Sequence, residues 1–290
     1  MESSNLWPGR NTLGEGPLWD SRENVLYWVD IESWELHRFD PTINAHRVWP
    51  FESELCCIGL RKAGGLIAAF RNTIEIIYLP EGQTKLIAKP LQHEKNVMFN
   101  DGAVDFQGRF WVGTKDLKES NPMGALYCMQ SDHSIKKMDS GFTVSNGIGW
   151  NPDQTIMYFT DSPARCIYAY EFDKNTGEIS HRREWVKVPE KAGFPDGLTV
   201  DSEGFVWSTH WNGWRVTRYA PDGSIDQVIS MPVPLVTSCC FGGENLSTLF
   251  ITTASRGLSE QQLKEAPLSG GLFSVKTTTK GVLEPFFVEK

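Results

Sequence analysis

Glu15, Asn100, Asn146 and Asp196 are the side chains of this chain whose types and spacing could do chemistry together. Each stands five residues before an Asp or Asn that opens a turn, namely Asp20, Asp105, Asn151 and Asp201. Each turn leads into a β-branched or aromatic run, such as Phe110-Trp111-Val112 or Phe205-Val206-Trp207. Two degenerate copies of the unit put Cys57 and Thr237 at the same slot, counted back from Lys62 and Gly242. Successive slots lie 42, 43, 46, 50 and 41 residues apart. Two carboxylates and two amides at one repeat level offer hard oxygen donors, which suit Ca²⁺, Mg²⁺ or Mn²⁺ and are acceptable to Zn²⁺. Two carboxylates neutralise a divalent ion. Without one they repel, and one of them must take a proton.

The elements that must bring these side chains together follow from the period. Six units of this length are the signature of an all-β, six-bladed β-propeller with about four antiparallel strands per blade. The competing fold is a sandwich or barrel with accidental spacing. In a propeller the first strand of every blade lines a central channel, so side chains at one level face each other across it. That arrangement predicts a central metal channel within a single domain over residues 1–290. Read singly, Asn146-Gly147 and Asp196-Gly197 are ordinary turn dipeptides; only the shared level makes them ligands. The high aromatic content then reads as packing between blades. Trp207, Trp211 and Trp214 have a second reading as the wall of a sugar pocket, and His210 as either a channel-mouth or a solvated loop residue. A short helix is expected over residues 259–266, with Ser259 and Gln262 as a capping box. Leu6 and Trp7 are expected to close the ring against the 282–287 run.

Composition sets the outer limits. There are 28 basic and 36 acidic side chains, a net charge of −8, and no basic stripe, which argues against nucleic acid or an anionic membrane as partner. No apolar run approaches the roughly 18 residues of a membrane span. Residues 1–10 lack the pattern of a secretory signal. Cys56, Cys57, Cys128, Cys166, Cys239 and Cys240 contain no C-x-x-C pair and read as buried, reduced thiols of a cytoplasmic protein.

The motifs Leu13-Gly14-Glu15-Gly16-Pro17, Phe99-Asn100-Asp101-Gly102, Ser145-Asn146-Gly147 and Phe194-Pro195-Asp196-Gly197 resemble those of the regucalcin (senescence marker protein), gluconolactonase and luciferin-regenerating enzyme family. The resemblance runs from about Leu13 to Phe273. It implies one divalent metal in the channel, held by Glu15, Asn146 and Asp196, with Asn100 toward substrate or water and Asp101 as a further substrate-side candidate. Ca²⁺ is the first choice, and Zn²⁺, Mg²⁺, Mn²⁺ or Fe²⁺ also fit. The implied reaction is hydrolysis of a small sugar lactone, an aldono-1,4- or 1,5-lactone, by a monomer or weak homo-oligomer. Asp196 is the expected general base, because a ligand carboxylate keeps a second oxygen for the water proton, and Asn100 would orient that water. Met98 stands where animal members place an arginine that holds the polyhydroxy substrate, which implies a different or less polar lactone. Lys115, where many relatives carry Met, either supplies the missing cation or is a solvated loop lysine. Glu119 is a further substrate-side candidate. The alternatives are a non-enzymatic calcium-binding regulator or buffer, which needs the same ligands, and an interaction scaffold, which needs none.

Overall fold

A computed structural model describes residues 2–289. It has six four-stranded antiparallel sheets, the blades of a propeller. Blade 1 comprises Gly14–Asp20, Val25–Asp30, Glu35–Asp40 and Ala45–Pro50. Blade 2 comprises Leu55–Leu60, Leu66–Phe70, Ile74–Tyr78 and Gln83–Ala88. Blade 3 comprises Val97–Val104, Phe110–Asp116, Gly124–Met129 and Ile135–Phe142. Blade 4 comprises Ser145–Trp150, Ile156–Asp161, Cys166–Phe172 and Ile179–Lys187. Blade 5 comprises Phe194–Val200, Val206–Trp211, Arg215–Tyr219 and Ile225–Ser230. Blade 6 comprises Val236–Gly242, Thr248–Thr253 and Leu272–Lys276, completed by Ser3–Trp7 from the other end of the chain.

In blades 1, 3, 4 and 5 the repeated Asp or Asn turns the first strand into the second. Asp105 accepts from the Gln107 and Arg109 backbone N–H groups at 2.9 and 3.1 Å, and its other oxygen accepts from the Trp111 indole at 2.8 Å. Asp201 does the same for Glu203, Phe205 and Trp207. An acidic side chain that replaces backbone partners in a tight turn also ties down the aromatic two strand positions on. Those aromatics then fill the seams. Trp111 of blade 3 meets Trp150 of blade 4 at 6.0 Å between ring centroids, and Trp207 of blade 5 meets Phe241 of blade 6 at 5.7 Å. Trp19 of blade 1 stacks on Phe250 of blade 6 at 5.3 Å. The reading of the aromatics as blade packing holds for these residues. Trp207 is fully buried in that packing and is no pocket wall.

Ring closure departs from expectation. Ser3–Trp7 pairs with Leu272–Lys276, not with the 282–287 run. The C-terminal segment instead crosses the end of the channel opposite the slot residues. Gly281 bonds to Leu246 of blade 6, Phe287 exchanges bonds with Leu60 and Lys62 of blade 2, and Val288 reaches Gly108 of blade 3. Arg61 and Glu289 form an ion pair there. The expected capping box does form, at the helix Glu260–Glu265. All six cysteines are buried and free. Among the described residues no helix is long and apolar enough to cross a membrane.

Candidate functional site

Every innermost strand breaks its register at the slot. The shifts fall between Glu15 and Leu18, Leu55 and Cys57, Phe99 and Gly102, Asn146 and Ile148, Pro195 and Leu198, and Val236 and Ser238. A β-bulge bends the strand and re-aims one side chain. The Asn-Gly and Asp-Gly pairs are therefore bulges inside strands rather than turns between them. Glycine is required beside them because neighbouring strands approach closely: a Cβ on Gly147 would lie 2.7 Å from the Asp196 carbonyl oxygen, and one on Gly197 would lie 2.2 Å from Ser238 Oγ.

The bulges bring Glu15, Asn100, Asn146 and Asp196 to the floor of one cavity at the channel mouth. All four are buried. Asn100 Nδ2 donates to Asn146 Oδ1 and to the Ser145 carbonyl, both at 2.9 Å. Asn146 Nδ2 donates to Ser162 Oγ at 2.8 Å. Both amide nitrogens are thus engaged with protein, which leaves the Asn100 oxygen and a lone pair of Asn146 Oδ1 for a ligand. Asp196 Oδ1 is buried without a hydrogen-bond partner. Burial, and then the charges of Asp196 and Asp101, push the Glu15 carboxyl well above its usual range. Burial, and then Asp101, do the same to Asp196, while Lys115 pulls it down. An orphaned carboxylate oxygen beside a second carboxylate and two amide oxygens is the donor set a hard divalent cation satisfies, so the residues present fit such an ion.

The two remaining slots carry no free donor of this kind. Thr237 Oγ1 donates to the Gly14 carbonyl at 2.5 Å and lies 2.9 Å from Thr252 Oγ1, so it ties blade 6 to blade 1. The Cys57 thiol is raised well above its usual range by burial.

Of the other candidates, Lys115 and Glu119 line the same cavity. Lys115 is 7% exposed, which removes the reading as a solvated loop lysine. Met98 pairs in register with Lys115 but packs in the core of blades 1 to 3 and does not line the cavity. Asp101 faces a second, smaller cavity at the opposite end of the channel under the C-terminal segment. It accepts from the Gly102 N–H at 2.7 Å, and burial raises its carboxyl to about 6. Trp211 walls the mouth with Phe194, Val144 and Pro163, whereas Trp214 is exposed on a hairpin. His210 is fully buried, bonded through Nδ1 to the Ala192 carbonyl at 2.8 Å, and lies outside the mouth lining. Sequence reasoning missed Arg256, which lines the mouth from the loop after Thr248–Thr253, and Ser162, which fixes Asn146. Arg256 sits in the insertion that carries the capped helix, outside the repeat, so no spacing marks it.

Fold and site together define a six-bladed propeller with a hard-oxygen donor set at one end of its channel. The model of the SMP-30/Gluconolactonase/LRE-like region matches residues 13–255, and the chain belongs to that family. It is 36% identical over 279 residues to a 6-deoxy-6-sulfogluconolactonase of Pseudomonas putida, covering 96% of this chain and 95% of that protein. It is 34% identical over 270 residues to a regucalcin of Xenopus laevis, covering 91% and 90%. A solved structure of a luciferin-regenerating enzyme matches with a TM-score of 0.94 at 27% identity, covering 100% of this chain and 99% of that one.

Proposed function

We propose that the chain is a lactonase that opens a sugar lactone, an aldono-1,4- or 1,5-lactone, to the aldonic acid, with one divalent cation held by Glu15, Asn146 and Asp196. The observation that carries this reading is the buried, unpartnered Asp196 Oδ1, converging with Glu15 and two amide oxygens in a cavity open to solvent. Family membership and the lactonase name of a relative at 36% identity support the enzyme class. A bound cation supplies Lewis acidity to the lactone carbonyl and offsets the two carboxylates. Ca²⁺ is the first choice, and the regucalcin relative supports a divalent ion.

The chain's own residues do the rest. Asp196 accepts the proton of the attacking water through its second carboxylate oxygen, the one not given to the cation. Asn100 is fixed by its two donated bonds, so its carbonyl oxygen is a stationary acceptor that orients the water or a substrate hydroxyl. Trp211 and Phe194 give the C–H face of the sugar ring an apolar surface and exclude bulk water from it. Water oxygen bonds to the carbonyl carbon, the ring C–O bond breaks, and the ring oxygen leaves as a hydroxyl.

The test is a panel of five- and six-membered pentono- and hexonolactones on chelated protein, with Ca²⁺, Mg²⁺, Mn²⁺ and Zn²⁺ restored singly. Turnover that returns with a cation supports the reading. Cation binding with no lactone opened overturns it in favour of a binding protein.

A further inference from the structure

We propose that the mouth selects lactones carrying an acidic group, a carboxylate, sulfonate or phosphate, at the end remote from the ring carbonyl, and that Lys115 and Arg256 bind that group. This rests on the lactonase reading of the same site.

Three charged side chains stand above the floor. Lys115 Nζ lies 2.9 Å from Glu119 Oε1, and Arg256 Nη1 lies 3.4 Å from the same oxygen. Two cations therefore share one acceptor atom. Arg256 is anchored from behind by Glu32, at 2.8 Å from its Nε. Lys115 is anchored by burial on the strand Phe110–Asp116. An ammonium group has three donors, and the one hydrogen-bond acceptor of Lys115 among the described residues is Glu119 Oε1. Lys115 lines the cavity, so its other two donors are open to water or to a ligand's acceptors.

Charge decides what fills them. With a divalent cation on the floor, Glu15 and Asp196 are offset, and Lys115 and Arg256 balance Glu119 and Glu32. Hydrogen bonds between ions are roughly twice as strong as neutral ones, so an acidic group that joins or replaces Glu119 gains more from the two cations than a hydroxyl does. Glu119 is the movable member. It sits on the surface loop after Asp116 with its side chain 39% exposed, and it marks where a ligand's acidic group would join or replace it. The cations come from blades 3 and 6 and the wall of Phe194 and Trp211 from blade 5, all lining one mouth. A sugar ring against the aromatic wall then has its far end free to turn toward Lys115 and Arg256.

The experiment compares kcat/KM for neutral glucono-1,5-lactone with that for the lactones of glucaric acid, 6-deoxy-6-sulfogluconic acid and 6-phosphogluconic acid. At least one acidic lactone is expected to be preferred by about tenfold. The best of the three identifies the acidic group. Arg256→Gln and Lys115→Gln should each cut the acidic-to-neutral ratio by about tenfold, and Arg256→Lys should restore part of it. A ratio within one variant is indifferent to a general loss of folded enzyme. A neutral lactone opened as well as all three acidic ones, or a ratio untouched in both Gln variants, overturns the proposal. If no lactone of either kind is opened, the lactonase reading fails, and calorimetry with glucarate and gluconate on Ca²⁺-loaded protein decides the clamp by itself. Glucarate bound about tenfold more tightly supports it, and equal affinities overturn it.

Discussion

At the channel mouth Glu15 and Asp196 converge, and Asp196 Oδ1 has no hydrogen-bond partner. At the base, one bulge residue away, Asp101 is bonded to the Gly102 N–H at 2.7 Å and lies under the C-terminal segment. Glu284 of that segment lines the same base cavity. Burial raises carboxyls at both ends, but only the mouth crowds two of them against free amide oxygens. The contrast teaches that a buried acid is not by itself a site. An acid becomes a ligand when its neighbours are also acceptors, and a structural group when backbone donors reach it first.

The sharpest break in this contrast is Asp196→Asn. It keeps the volume and removes one charge and the base, so lactone turnover should fall by about 10³-fold while the far-ultraviolet circular dichroism stays unchanged. Glu15→Gln should follow the same course through lost cation affinity.

Cation-linked stability comes next. Without a cation the folded chain holds protons on Glu15 and Asp196 that an unfolded chain would release. That contribution is present below the ordinary carboxylate range and lost as pH rises through the raised values. A bound cation takes over as the protons leave. The stabilisation on adding Ca²⁺, followed as a rise in Tm, should therefore grow from pH 5 to pH 8, reaching about 3 kcal/mol where Ca²⁺ is at a hundredfold excess over Kd, and should largely vanish in Asp196→Asn.

The base should respond through stability alone. Burial holds the Glu284 carboxyl at about 7, so its contribution is intact below about pH 4.5 and lost as pH rises through 7. Glu284→Gln should be more stable than the parent at pH 8 by about 3 kcal/mol, equal to it near pH 4.5, and unchanged in turnover. Asp101→Asn should have the smallest catalytic effect of the acid variants, less than about tenfold in kcat/KM, through the loss of one nearby charge from the field at the floor. A larger loss would move Asp101 into the working site and erase the distinction between the ends.

The blades and the floor were legible because both are periodic. An Asp or Asn that caps a turn and a Gly that admits a bulge recur at fixed distances, as in Asn151 with Gly147 and Asp201 with Gly197, and the fold must repeat them to close a ring. What does not repeat was not legible. Ser3–Trp7 shows no polar–apolar alternation in its sequence, and its pairing with Leu272–Lys276 came from ring geometry. Residues 282–287 looked like a closing strand and instead belong to a strap across the base, because Gly281, Phe287 and Val288 bond to single backbone groups in blades 6, 2 and 3. Met98 drew attention by its place in a motif, yet packs in the core. Arg256 gave no signal at all, since an arginine in an insertion is usually a solvated one.

The most direct measurement is anomalous diffraction from crystals soaked in Mn²⁺. One peak is predicted, at the mouth, about 2.0–2.6 Å from oxygens of Glu15, Asn146 and Asp196, with none at the base. No peak at the mouth, or a peak beside Asp101 and Glu284 instead, would contradict the assignment of the cation to the mouth.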